Sequence, residues 1–129
     1  MNNDQGIRKV SMTSRRQILA DVGNQSSVGC RVAQAVGVAV GSDVIAKAGT
    51  PISIDLMDRD GTPAVLATGS VAMNAVLLHD VDVTKGPNNG TALVFGFVNV
   101  NRVDEDVATK ITAAVGNASA SKLLTFMKG

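Results

Sequence analysis

His79, Asp80 and Asp82 stand close together in Leu78-His79-Asp80-Val81-Asp82, and they are residue types that ligate metals or exchange protons. His79 is the chain's only histidine. On an extended backbone, successive side chains point to opposite faces, so His79 is turned away from both carboxylates and the three do not converge on one ion. Alternating charge at a strand edge or turn is the expectation, and no metal ligand is assigned.

Other candidates fail on spacing. Asp58-Arg59-Asp60-Gly61 has the opening of a calcium loop, but an EF-hand needs a further ligand before its glycine and a glutamate at the twelfth position, where Gly69 stands. A plain turn is expected. Cys30 is the one cysteine; Arg31 beside it could lower its thiol pKa, yet a catalytic thiolate also wants a base, and His79 is far along the chain. The run from Ala35 to Gly41 lacks the Gly-x-Gly-x-x-Gly spacing and following helix of a nucleotide fingerprint. No catalytic residue and no cofactor is assigned, and the chain is not expected to be an enzyme.

The elements that must carry these residues centre on Ser70 to Val103. Two runs rich in Val, Leu and Phe flank Lys85-Gly86-Pro87-Asn88-Asn89-Gly90, which reads as strand, loop, strand. In the second run Leu93, Phe95 and Phe97 fall on one face, and Val94, Gly96 and Val98 on the other. Both faces are apolar, which predicts a central strand or one that also meets a partner. Leu77, Leu78, Leu93, Phe95 and Phe97 are the expected core and oligomer residues, with burial of each phenylalanine contributing about 1.5–3 kcal/mol. Gly96 leaves a gap through which another backbone can approach.

Before this pair, residues 1–6 are polar and aperiodic. An extended arm is expected as far as Thr13, then a weak turn or helix toward Leu19. Bent strands are expected over Val28 to Val40, a turn at Gly41-Ser42-Asp43, an extended segment at Val44-Ile45 and another turn at Lys47 to Pro51. Ile52, Ile54 and Leu56 alternate with polar residues as a half-buried strand, a loop spans Asp58 to Pro63, and Val65 to Ala67 begins a short strand. After the pair, Asp104 is placed to cap a helix whose buried face is Val107, Ile111 and Ala114 or Val115, with Gly116 ending it. Leu123, Leu124 and Phe126 read as a final short strand or packed tail. The fold class is therefore α+β and β-rich, with one short C-terminal helix.

Length and composition narrow the class of function. The chain has 129 residues, enough for one domain, but no Trp or Tyr and only 2% aromatics. Its core is light, and subunit contacts are the expected complement. Net charge is +1, which points to neither nucleic acid nor an anionic membrane as partner. Residues 1–20 nonetheless hold Arg8, Lys9, Arg15 and Arg16 against Asp4 alone, a basic arm suited to an acidic surface. A single cysteine permits no internal disulfide, and no signal-type or membrane-spanning run is evident, so synthesis in a cytoplasm is expected.

Lys47-Ala48-Gly49-Thr50-Pro51, Ala75-Val76-Leu77-Leu78-His79-Asp80-Val81-Asp82-Val83-Thr84 and Gly90-Thr91-Ala92-Leu93-Val94-Phe95-Gly96, in that order, carry a resemblance. The chain resembles the small lambda-like head-decoration proteins of tailed bacteriophages. The likeness runs from about residue 44 to residue 103, and the tail after Arg102 is similar to small phage proteins encoded beside the capsid, some of which act as head-fibre bases. The resemblance implies a β-tulip-like domain over residues 21–129 preceded by a capsid-docking arm over residues 1–20. It implies a homotrimer at three-fold or quasi-three-fold positions on the outer surface of the virion, bound to the major capsid protein. Carried to this chain, the arm candidates are Ile7, Arg8, Lys9 and Val10, with Arg15 and Arg16 adding charge. The rival readings are a head-fibre base or adhesin and a carbohydrate-binding β domain, the latter weakened by the absence of Trp and Tyr.

Overall fold

Residues 17–20 and 25–128 are described by a computed structural model. Nine strands and one α-helix are arranged among them: β1 (Ser26–Val32), β2 (Val38–Val40), β3 (Asp43–Ala46), β4 (Pro51–Ser53), β5 (Val65–Leu66), β6 (Ala75–Leu77), β7 (Val81–Asp82), β8 (Asn88–Asn99), α1 (Glu105–Val115) and β9 (Leu124–Met127). The domain is a small, β-rich α+β fold, as its composition and alternation imply.

β8 is the strand around which the rest assembles. Its N-terminal half is paired antiparallel with β1 on one edge and β6 on the other. Its C-terminal half is paired parallel with β9, and on the opposite edge Leu19 bridges Val98. The large sheet runs β1-β8-β6-β4-β5 with β9 on the far half of β8; β2, β3 and β7 make a second, three-stranded sheet. The expected strand-loop-strand pair is thus present as β6 and β8. The first run is not one strand, however: the chain bends at Leu78-His79 and crosses to the other sheet as β7.

The large sheet is covered on two faces. On one, Val76 and Leu93 pack with Met73, Ala114 of α1 and Leu124. On the other, Ala75, Leu77 and Ala92 pack with Ala46 and Val81 of the small sheet. Val107, Ile111 and Ala114 form the buried stripe of α1, one residue in each turn, as their helical spacing requires. Val115, the alternative to Ala114, is exposed.

Several local expectations are met with small differences. Gly41, at φ +63°, makes with Ser42 the two-residue turn of the β2–β3 hairpin, where positive φ suits glycine. β4 stops at Ser53, yet Ile54 stays buried because Asn74 does the work of a paired strand: its Oδ1 accepts from the Ile54 N–H at 2.9 Å and its Nδ2 donates to the Ile54 carbonyl at 2.8 Å. Leu56, expected to continue that strand inward, is exposed. Asp104 occupies the N-cap position of α1 but makes no side-chain capping bond; its carboxylate goes to Lys47. Of the segment expected as a turn or helix toward Leu19, residues 14–16 lie outside the described residues, and the described end is extended: Asn99 N–H donates to the Ile18 carbonyl and Ala20 N–H to the Phe97 carbonyl, and Ile18 and Leu19 are buried.

The largest correction concerns β8. Ser26 is opposite Phe95 while Ser27 is opposite Leu93, so Val94 is an extra residue in the strand, a β-bulge. A bulge shifts the side-chain alternation by one, and from this point the faces exchange. Gly96 and Val98 join Leu93 on the helix-covered face, where a Cβ on Gly96 would lie 3.3 Å from Leu93 Cδ1. Phe95 and Phe97 turn the other way. Phe95 is 40% exposed and Phe97 half-buried, so neither is the core residue that simple alternation assigns, whereas Leu77, Leu78 and Leu93 are buried.

Candidate functional site

The three resembling stretches are joined in series, the turn from Lys47 to Pro51 to β6 and β6 to β8. Gly49 N–H donates to the Leu77 carbonyl at 2.7 Å and Leu77 N–H to the Thr50 carbonyl at 3.0 Å, which fixes the turn against β6. Leu78 N–H donates to the Thr91 carbonyl at 2.9 Å, which fixes β6 against β8. Asp80 Oδ1 accepts from the Ala48 N–H at 2.7 Å. Gly49 sits at φ +91°, and a Cβ there would be 2.5 Å from Val103 Cγ1, so the position requires a glycine for both conformation and space.

Lys47 carries the turn to the helix. Its Nζ lies 3.2 Å from Asp104 Oδ2 and 3.2 Å from Asp106 Oδ1. Burial works against the ammonium, but the hydrogen bonds and charges of Asp104 and Asp106 together outweigh it and hold the Lys47 pKa above its ordinary value. The N-terminus of α1 is anchored by this ion pair in place of the expected cap.

The residues suspected of chemistry are dispersed or engaged elsewhere. Asp80 is committed to the turn. Asp82, exposed, accepts from the Thr84 N–H at 2.9 Å; hydrogen bonds from the Thr84 side chain and backbone hold its carboxyl below the usual carboxylate range. Asp58 Oδ1 accepts from the Gly61 N–H and Oδ2 from the Thr62 hydroxyl, so both oxygens close a turn. Cys30 is buried, and that burial raises its thiol pKa despite the charge of Arg59; the neighbour that matters electrostatically is Arg59, not the adjacent Arg31. Among the described residues, no three His, Cys, Asp or Glu side chains gather as a metal site. An open concavity of about 490 Å³ is bordered by Asp43, Asp82, Lys85 and Asn88, and neither His79 nor Cys30 lines it.

What the fold does present is an apolar surface. Beyond the bulge, Phe95 and Phe97 emerge on the sheet face opposite α1, and β9 runs beside them with Gly96 opposite Leu124 and Phe97 opposite Thr125. Leu124 is buried and Phe126 packs on the core, so the alternate residues Leu123, Thr125 and Met127 face outward with the phenylalanines. Leu123 is 58% exposed and Met127 39%. Lys122 and Lys128, both exposed, stand at the two ends of the strand. Sequence alternation misses this surface because it cannot register a bulge; the signal available was Gly96, although what lies close to it is side chain and not the expected backbone, with Gln25 Cβ and Leu93 Cδ1 each 3.3 Å from where its Cβ would stand.

A second projecting feature is the loop after β4, where Met57 is 94% exposed beside Leu56. Asp55 Oδ1 accepts from the Met57 N–H, and Arg59 Nη1 donates to the Gly29 carbonyl at 2.7 Å, so the loop is tied to itself and to β1. The arm candidates Ile7, Arg8, Lys9, Val10, Arg15 and Arg16 lie outside the described residues.

No protein-family model matches the chain, and no curated protein matches it.

Proposed function

We propose that this chain is a non-enzymatic decoration protein of a tailed-phage head, which binds the outer surface of the shell and cements neighbouring capsid subunits. The observation that carries the proposal is the meeting of the three resembling stretches in one hydrogen-bonded unit. The turn at Ala48-Gly49-Thr50, the β6 to Asp80 segment and β8 hold one another through Gly49–Leu77, Ala48–Asp80 and Leu78–Thr91 contacts. The resemblance rests on these stretches in this order, and their joining in one unit is what supports the reading. The titratable groups described above have structural tasks: Asp58 closes a turn, Asp80 holds the Ala48 amide, and Lys47 with Asp104 and Asp106 anchors the start of α1.

Cementing needs neither pocket nor nucleophile. It needs a stiff domain that repeats one contact at many equivalent positions, so that modest affinity per copy becomes durable attachment when copies are joined as a homotrimer. Mass action then favours the assembled shell over its separated parts. In this proposal the basic arm, with Ile7, Arg8, Lys9 and Val10 at its centre, reaches the major capsid protein as an added strand.

Co-sedimentation with purified, expanded shells of the encoding phage tests the proposal. The full chain is expected in the pellet at a saturating ratio, and a chain lacking residues 1–12 is expected to stay folded in the supernatant. Full-length protein that remains in the supernatant overturns the decoration role, and a truncated chain that still pellets overturns the role of the arm.

A further inference from the structure

The far half of the large sheet has both an apolar face and an open edge, and the two adjoin. Gly96 N–H donates to the Leu123 carbonyl at 3.2 Å, and Gly96 is opposite Leu124. In a parallel ladder this register turns the peptide groups of Leu123, Thr125 and Met127 toward β8 and those of Leu124 and Phe126 away from it. Among the described residues β9 pairs only with β8, so the outward N–H and C=O groups of Leu124 and Phe126 form an edge ready to take another strand. Phe95, Leu123 and Met127 supply exposed apolar area beside that edge.

The two charged residues that flank β9 in the sequence are of one sign. Lys122 precedes β9 and Lys128 follows it, and neither is in an ion pair among the described residues. In the two-fold antiparallel pairing of two copies centred on Thr125, each Lys122 is set against the other copy's Lys128, which disfavours a second copy in that register. A strand with carboxylates at both ends has the complementary pattern.

We propose that the edge of β9, with the Phe95–Leu123–Met127 face, takes up an extended apolar segment flanked by acidic residues, supplied by the capsid shell subunit. The identity of the supplier rests on the decoration role above; the chemistry of the strand does not. This contact is distinct from that of the basic arm, and it gives each copy a second attachment to the shell.

The test is an NMR titration of the full-length, isotope-labelled chain with a capped peptide, Asp-Thr-Val-Thr-Ile-Thr-Asp, and with its counterpart ending in lysines. Shift changes centred on the Leu124 and Phe126 amides are expected for the acidic peptide, with binding about tenfold weaker for the basic one. In the double variant Lys122→Glu, Lys128→Glu that preference is expected to reverse, and in Leu123→Ser, Met127→Ser both peptides are expected to weaken while thermal unfolding is unchanged. No shift at these amides, or equal response to the two peptides, overturns the proposal. Concentration-dependent shifts of the same amides without peptide assign the edge to a second copy, and strong hydrogen-exchange protection of both amides in the free chain assigns it to the chain's own residues; either result also overturns it. Shell sedimentation is scored separately: failure of the wild type there removes the shell as supplier and is distinguishable from a null peptide titration.

Discussion

The Asp80 carboxylate accepts a hydrogen bond from the backbone N–H of Ala48 at 2.7 Å, across a separation of 32 residues. Ala48 is buried, so its amide has no ready access to water once Asp80 is removed. This one contact joins the turn after β3 to the bend between the two sheets, and it explains why an aspartate in an apparently metal-like cluster has a structural task.

Asp80→Ala therefore leaves a buried donor unsatisfied, and a loss of about 1–3 kcal/mol is expected. Asp80→Asn keeps an acceptor in place and loses less. Urea unfolding of the two variants measures the difference; equal losses contradict the assignment.

At Gly49 an added methyl meets two obstacles. The backbone is at φ +91° and Val103 Cγ1 is 2.5 Å from the new atom. Gly49→Ala is expected to destabilise by about 2–4 kcal/mol, combining the left-handed penalty with overpacking. Gly29→Ala, where the added Cβ has nothing within 4 Å, is the control and is expected to lie within about 0.5 kcal/mol of the wild type.

Lys47 links stability to high pH. Its folded pKa is raised above the unfolded value, so its favourable contribution is complete below about pH 10.4 and is lost as pH rises through the folded pKa. The pair with Asp104 and Asp106 is partly exposed, and Lys47→Met is expected to cost about 0.2–1 kcal/mol near neutrality, less in high salt. The gap between wild type and variant, followed by urea unfolding, is expected to narrow in strong alkali.

Asp82 has the opposite sign. Hydrogen bonds from Thr84 lower its folded pKa, so its contribution is present above the unfolded carboxyl value of about 3.9 and is lost as pH falls through the folded value. Thr84→Val removes the hydroxyl, and with it the acceptor for the Val44 N–H at 2.8 Å. The Asp82 carboxyl is then expected to titrate at higher pH by NMR, and an unchanged titration contradicts the assigned cause.

Much of the architecture was legible in the residues themselves. Alternation in Val-, Leu- and Phe-rich runs announces β6 and β8, spacing announces the buried stripe of α1, and Gly41-Ser42-Asp43 announces a turn, which the structure places in the β2–β3 hairpin. The misses have physical causes. Asp104 has the type and place of a helix cap, but Lys47 lies close enough in the fold to claim its carboxylate, a tertiary partner no local pattern reveals. Leu56 continues an alternation that the strand itself abandons at Ser53. The reversal of Phe95 and Phe97 follows from one inserted residue, Val94, and it converts an expected core into the most apolar part of the candidate surface. The arm enters through its basic charge and its docking role through resemblance alone, and its residues lie outside the described residues.

The most direct measurement of the central claim is cryo-electron microscopy of the intact phage particle. The decoration account predicts density for this domain on the outer face of the shell, as trimers at three-fold and quasi-three-fold positions, with an arm extending onto the major capsid protein. A decorated particle in which this chain is absent from the shell surface contradicts the account.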